Sequence, residues 1–379
     1  MTDKFKLSST WQEEVRATLA GSYVMEDTDG ITTSSPINGD LTNYQNLLKR
    51  TVISGSLFDN EGVGGILSTY SIIVAGGNPE GGVLSTNGEV HFCSQGNLRN
   101  QKVSRTGVTS TYATIQSGRN GFVLAPNGDI HQIPVGATRG QKINASGVVS
   151  TYALINSVGA YKYVGGALGT NGDVHFSIFG GTTGQKVDIY GTVSTYSMAY
   201  TYGFGYAGAG TTLNGDIHLA PYGTNLGQKI AADGTVSTYT RPGSGTYFGV
   251  VTDSNGDAHF APFQATVGVK ISGSTGIITT YSLVYSATVE KYLGAVLAPN
   301  GDIHFVPRSA IVGQKVSKNG IVSTYSLPVT GTQLYAGGVL NDLGEIHFVP
   351  RSATIGMKIS TLPAHNFSGS TIRSRFRGY

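Results

Sequence analysis

At 379 residues, with 12% charged side chains and 55 glycines, the chain suits many short strands joined by tight turns and not a helical enzyme. A net charge of +3 excludes a strong overall bias toward nucleic acid, and the single cysteine, Cys93, excludes a disulfide framework or a cysteine-based zinc site. The start of the chain lacks a basic-then-apolar leader, and no apolar run approaches the length of a bilayer span, so a soluble chain without a membrane span is expected.

Residues 1–62 do not repeat and carry five basic and nine acidic side chains. Ser9–Leu19 has the pattern of a helix, with capping-box spacing between Ser9 and Gln12 and Trp11, Val15 and Leu19 on one face. Asp40–Arg50 reads as a second helix, with Leu41, Tyr44, Leu47 and Leu48 on one face. Each is too short to be stable alone, so Trp11, Val15, Leu19, Leu47 and Leu48 are candidate docking residues, against the rest of the chain or a partner.

From about residue 63 to 360 one phrase returns seven times. Its histidines are His91, His131, His175, His218, His259, His304 and His347, at intervals of 40, 44, 43, 41, 45 and 43 residues. Self-similarity at this period means one supersecondary unit stacked on its own copies. The clearest copy, Tyr292–Leu327, splits into four extended segments: A (Tyr292–Ala298), B (Asp302–Pro307), C (Gln314–Ser317) and D (Ile321–Leu327). Asn300-Gly301 and Asn319-Gly320 mark hairpins at the A–B and C–D junctions, and a loop over Arg308–Gly313 joins B to C. Each unit is thus a four-stranded antiparallel meander.

The first D segment (Gly65–Ser71) precedes the first A, and the last C (Gly356–Ser360) has no D after it. That phase shift suits a ring, closed by pairing the N-terminal D strand with the last C strand. The expected fold is all-β: a seven-bladed β-propeller over 63–360, with an N-terminal extension (1–62) and a basic Ser/Gly/Arg tail (361–379). In the tail, Arg373, Arg375 and Arg377 are further docking candidates.

Seven Asp/Glu-x-His pairs, such as Asp302/His304, suggest a metal or an acid–base site, because residues i and i+2 of a strand share a face. With strands about 4.8 Å apart, equivalent positions on seven blades lie roughly 10 Å from one another, too far for one metal. A structural role is expected instead for the seven His and for Lys102, Lys142, Lys186, Lys229, Lys270, Lys315 and Lys358, with no catalytic residue, metal or cofactor. Function should lie where blades differ. The B–C and D–A connections share one face, and their candidate binding residues are Arg119, Arg139, Tyr161, Tyr200, Tyr202, Phe204, Tyr222, Arg241, Phe263, Arg308 and Arg351.

The run of an apolar A strand, a turn, strand B, a loop, strand C, an Asn turn and strand D resembles the blades of Kelch-like propellers, with two departures: the Gly165-Gly166 and Gly337-Gly338 pairs lie in segment A and not after B, and the Ser-Thr-Tyr tyrosine stands where those blades carry a tryptophan. That resemblance implies a binding architecture and no particular chemistry. The composition resembles that of phage virion structural proteins. Together these lead to the expectation of a structural or interaction protein that is not an enzyme, most concretely a phage tail or capsid-associated virion component whose partners are other structural proteins. Alternatives are a glycan-binding propeller, using the tyrosines that open segment A (Tyr163, Tyr206, Tyr247, Tyr292 and Tyr335), and a cellular protein–protein scaffold. No specific nucleic-acid binding is expected.

Overall fold

The computed structural model describes residues 4–6, 23–26, 32–35, 66–73 and 79–361, apart from 158, 160 and 202. Two compact units are distinguished, one over 67–359 and one comprising 1–66 with 360–379. In the second unit, β1 (Lys4–Lys6) runs parallel to β2 (Tyr23–Glu26), which pairs antiparallel with β3 (Thr32–Ser35). The helices expected over Ser9–Leu19 and Asp40–Arg50 lie outside the described residues, as do Trp11, Val15, Leu19, Leu47, Leu48, Arg373, Arg375 and Arg377.

The first unit is a seven-bladed propeller of four-stranded sheets. Strands A to D of blade 6 are Tyr292–Leu297, Ile303–Pro307, Val312–Val316 and Val322–Ser326. Strand C therefore begins two residues earlier than expected, at Val312 and not Gln314. Strand A opens at Pro79 in blade 1, Phe122 in blade 2, Tyr163 in blade 3, Tyr206 in blade 4, Tyr247 in blade 5 and Tyr335 in blade 7. The N-terminal strand β4 (Ile66–Ser71) is the outermost strand of blade 7, beside Ile355–Ser360, and closes the ring.

The local chemistry of the turns is legible. In blade 6 the Gly301 N–H donates to Ala298 O at 3.0 Å, and Gly301 is left-handed at φ 87°. The turn is thus centred on Pro299 and Asn300, with glycine taking the position a side chain would strain. The Asn300 side chain accepts from Asp302 N at 3.1 Å and fixes the start of strand B.

Apolar residues of strands A, B and C fill each blade. In blade 6, Tyr292, Ile303, Phe305 and Val316 are all at most 2% exposed, and each such burial contributes about 2–3 kcal/mol. Blade 2 departs from this: Arg119 stands in the tyrosine position and Gln132 in the phenylalanine position. The Arg119 guanidinium donates to Gln132 Oε1 at 2.8 Å.

Strand A carries a bulge in six blades, for example between Tyr292 and Ala295. A glycine sits at this level in every blade. A Cβ added to Gly208 would lie 2.6 Å from Gly249 Cα, and one added to Gly165 would lie 2.4 Å from Gly208 Cα. Such approaches of inner strand to inner strand recur at six of the seven junctions, so the axis is collared by backbone and only glycine fits there.

Candidate functional site

The two faces of the propeller differ in kind. On the face of the A–B and C–D turns every blade repeats one polar unit. Lysine of strand C donates to the carboxylate that precedes strand B at 2.5–2.7 Å, as Lys315 does to Asp302 and Lys358 to Glu345. The histidine of strand B holds its Nδ1 3.0–3.4 Å from the hydroxyl of the strand D tyrosine, as His304 does with Tyr325. In blade 7 the partner of His347 is Tyr70, so this contact also ties the chain's first blade strand to its last complete hairpin.

All seven histidines are buried. Burial pushes His91, His131, His175, His218 and His304 down to about 4, so their imidazoles are neutral at pH 7. No group of three or more His, Cys, Asp or Glu is placed to hold a metal among the described residues. The acid beside each histidine thus pairs with the lysine, and in blade 7 Glu345 also faces His347 Nε2 at 3.5 Å; the unit joins strands A–B, C and D of one blade.

The face of the B–C and D–A connections is irregular. Five strand C glutamines hold the connector that enters their blade, as Gln101 does by accepting from Ile73 N at 2.8 Å and Gln314 from Tyr285 N at 2.7 Å. Blades 5 and 7 have Val269 and Met357 in that place. Inside this ring runs a belt of backbone hydrogen bonds that crosses between blades. Lys162 N donates to Val135 O, Phe179 N to Lys162 O, Gly205 N to Phe179 O and Tyr222 N to Gly205 O. Farther round, Lys291 N donates to Phe263 O, Arg308 N to Lys291 O, Leu334 N to Arg308 O and Arg351 N to Leu334 O. The belt fixes the residue that follows each strand B at the mouth of the axial channel, just above the glycine collar.

That residue changes sharply around the ring. It is Gln95 and Val135 in blades 1 and 2, then Phe179, Tyr222 and Phe263 in blades 3 to 5, then Arg308 and Arg351 in blades 6 and 7. The aromatic arc is continuous. Phe204 meets Phe179 at 5.0 Å between ring centroids, Phe179 meets Tyr222 at 5.5 Å, and Tyr222 meets Phe248 at 6.0 Å and Phe263 at 5.8 Å. Leu293 and Ala336 complete its apolar floor. Arg308 lies 5.5 Å over the Phe263 ring and pairs with Glu290 at 2.9 Å. Arg351 pairs with Glu80 at 2.7 Å across the junction of blades 7 and 1. Burial pushes the Glu80 carboxyl up, against the pull of Arg351 and Arg308.

At the rim, Tyr161 and Phe204 occupy left-handed backbone at φ 58° and 62°, and about half of each side chain is exposed. Both stand two residues before a strand A tyrosine, where blade 5 has Gly245 at φ 90° and blade 7 has Gln333 at φ 57°. A bulky side chain at such a position costs about 1–2 kcal/mol per residue, and the half-exposed side chains offset it only in part.

The structure thus brings together Phe204, Tyr222, Phe263, Arg308 and Arg351 at the mouth, with Tyr161 on its rim. It separates the other candidates. Arg119 is buried and also donates to Asn97 O at 2.9 Å and Thr114 Oγ1 at 3.0 Å. Arg241 is buried over the Tyr247 ring. Tyr200 packs against the core of blade 4, Arg139 is exposed at the start of an outer strand, and Tyr202 lies outside the described residues. The tyrosines that open strand A are no platform for a ligand: Tyr163, Tyr206, Tyr247, Tyr292 and Tyr335 are at most 1% exposed. Four of them donate inward, as Tyr292 does to Val312 O at 3.1 Å. Sequence reasoning missed Phe179, Phe248, Glu80 and Glu290. The signal for Phe179 was present, since it follows strand B where Tyr222, Phe263, Arg308 and Arg351 do.

No family model matches the chain, and no curated protein matches it. Solved structures do. A streptogramin B lyase aligns with a TM-score of 0.69 at 18% identity, over 78% of this chain and 97% of its own. A catalytically inactive histidine-to-alanine variant of the virginiamycin B lyase from Staphylococcus aureus, solved with quinupristin, aligns with a TM-score of 0.69 at 16% identity, over 78% and 99%. The hydrazine synthase of Kuenenia stuttgartiensis aligns with a TM-score of 0.61 at 13% identity, over 76% and 97%. These likenesses establish the β-propeller fold. They also correct the expectation that the chain is not an enzyme, because the architecture it rested on is shared with lyases. Kelch-like kinship is not found. No described helix is long and apolar enough to cross a membrane.

Proposed function

We propose that this chain is a recognition propeller that binds its ligand at the mouth of the axial channel, on the face of the B–C and D–A connections. The observation that carries this reading is the break in sevenfold symmetry after strand B, from Phe179, Tyr222 and Phe263 to Arg308 and Arg351. Where packing alone governs a position, the seven blades use nearly one residue, as with the histidines. Where they diverge, into an aromatic arc beside two arginine–carboxylate pairs, packing alone does not set the residue. Exposed aromatics on strained backbone at the rim point the same way.

The low charge, the single cysteine and the segments outside the propeller support a second element: carriage on a larger assembly such as a virion, through residues 1–62 and 361–379. Native sedimentation with mass spectrometry of co-migrating proteins tests that part, and a lone chain overturns it.

The mouth is tested by screening the full chain on a glycan array and a peptide array beside the double variant Tyr161→Ala/Phe204→Ala. Binding lost in the variant at unchanged melting temperature supports the site. Binding in neither array, or binding the variant retains, overturns it.

A further inference from the structure

The charges of the propeller are sorted between its faces. Among the described residues, the turn face carries eleven Asp and Glu against nine Lys and Arg, with seven of each sign in the lysine–carboxylate units. The mouth face carries only two carboxylates, Glu80 and Glu290, against eight Lys and Arg. Arg308 and Arg351 neutralise those two. Six positive charges remain.

Two of them, Arg99 and Arg139, are exposed where outer strands begin. The other four are buried under the connectors and donate only to neutral acceptors, with Nε of Arg119 and of Arg241 left without a partner. Arg119 has the partners given above. Lys162 donates to Gly159 O at 2.9 Å and Ala137 O at 3.1 Å. Arg241 donates to Gly243 O at 3.1 Å, and Lys291 donates to Ala265 O. None of the four has a carboxylate within ion-pair distance among the described residues. Buried charges are screened less than exposed ones, so their field reaches the mouth. A surface ringed by charge of one sign concentrates ions of the other sign.

We infer that the ligand of the mouth is an anionic saccharide, one carrying a carboxylate, sulfate or phosphate on its rings. This inference rests on the mouth being the binding site and adds the chemistry of its occupant. The two halves of the site divide the work. Phe204, Phe179 and Tyr222 offer ring faces for the apolar side of a pyranose, and Tyr161 extends that shelf at the rim. The unbalanced cations draw in the acidic group. The carboxylate of Glu290 and the amide of Gln333, both at the rim position, can take hydroxyls. A nucleic acid would meet the same field, but the stacking groups form one compact arc rather than a groove that tracks a backbone.

The test uses the full chain and matched sugars: sialyllactose against lactose, and galacturonate oligomers against their methyl esters. The acidic member of each pair should bind about tenfold or more tightly, and the preference should shrink as salt rises from about 50 to about 500 mM. The exposed pair Arg99→Glu/Arg139→Glu should slow association at low salt and leave binding at high salt unchanged. Tyr161→Ala/Phe204→Ala should abolish binding of either sugar. Equal affinity for acidic and neutral sugars that still depends on Phe204 overturns the anionic inference and leaves the mouth standing. Binding only of peptides does the same. Single-stranded oligonucleotides binding as well as the acidic sugars overturn the saccharide assignment. Insensitivity to Tyr161→Ala/Phe204→Ala overturns the mouth itself.

Discussion

The turn face and the mouth face are built from the same seven copies, yet one is nearly uniform and the other is not. On the turn face, a histidine, a tyrosine, a lysine and a carboxylate meet in every blade at distances that vary by a few tenths of an ångström. On the mouth face, equivalent positions run from glutamine through aromatics to arginine. Uniformity marks where the ring must hold itself together, because a fault in any blade costs the whole closed structure. Divergence marks where one ligand is met once, from one side.

Acid should break the uniform face first and most severely. The five histidines at about 4 are neutral when folded, whereas an exposed histidine takes up a proton near pH 6.5. Below pH 6.5 the unfolded chain therefore binds more protons than the folded one. Stability is fully present above about pH 6.5 and is lost as pH falls toward 4, with each histidine contributing up to about 1.4 kcal/mol per pH unit. Glu345, held down to about 2 by His347 and Lys358, loses its contribution only in stronger acid. Denaturant unfolding measured from pH 8 to pH 4 should show a fall of several kcal/mol, centred in that window. A flat profile would mean that the histidines are not held neutral.

The second-largest effect separates backbone strain from close packing. Gly107 and Gly208 are both left-handed, at φ 81° and 80°. A Cβ on Gly107 meets nothing within 4 Å, whereas one on Gly208 comes within 2.6 Å of Gly249 Cα. Gly107→Ala should cost only the conformational term, about 1 kcal/mol. Gly208→Ala should cost about 4 kcal/mol or prevent folding, because the obstacle is backbone that cannot turn aside. Comparable melting temperatures for the two variants would show that the axis is looser than described.

Much of this was legible in the sequence, and the rest was hidden for definite reasons. Repeat period, strand number and ring closure follow from spacing alone, since the Ser-Thr-Tyr run appears before the first strand A. The partner of each carboxylate did not. Sharing a strand face with its histidine suggested a pair, but Lys315 lies opposite His304 in register and reaches Asp302 first. Candidate mouth residues were recognisable as loop residues of one face, yet their contacts and not burial decided among them: Arg308 is as buried as Arg241, but it lies over Phe263 and pairs with Glu290. Arg119 and Arg308 look alike in sequence; one fills a blade core and the other borders the mouth, because one takes the place of the tyrosine that opens strand A in other blades and the other follows strand B. The left-handed rim carries no signal at Phe204 itself, and only alignment with Gly245 reveals it.

A smaller effect tests the hydrogen bond within one uniform unit. Tyr325→Phe keeps the ring that packs at a tilt on His304 and removes the hydroxyl 3.4 Å from Nδ1. The buried imidazole loses its partner, at a cost of about 1–2 kcal/mol. The same change at Tyr70 removes the equivalent contact of blade 7 and should cost a similar amount. A much larger loss at Tyr70 in equilibrium unfolding would mean that ring closure, and not the unit itself, governs stability.

The smallest change in stability should accompany a large change in binding, and it comes from Phe204→Gly. Phe204 is about half exposed, so little burial is lost, and glycine relieves the left-handed backbone at φ 62°. Relief of about 1 kcal/mol is set against loss of its contact with Phe179, about 0.5–1.5 kcal/mol. The melting temperature should therefore stay within a degree or two of wild type, while affinity at the mouth falls about tenfold or more. Val108, which is 62% exposed on the turn face, supplies the control: Val108→Gly should leave both quantities nearly unchanged. If Phe204→Gly stabilises the chain and binding survives, the strained aromatic is a packing accident. Recognition would then have to be sought away from the arc it begins.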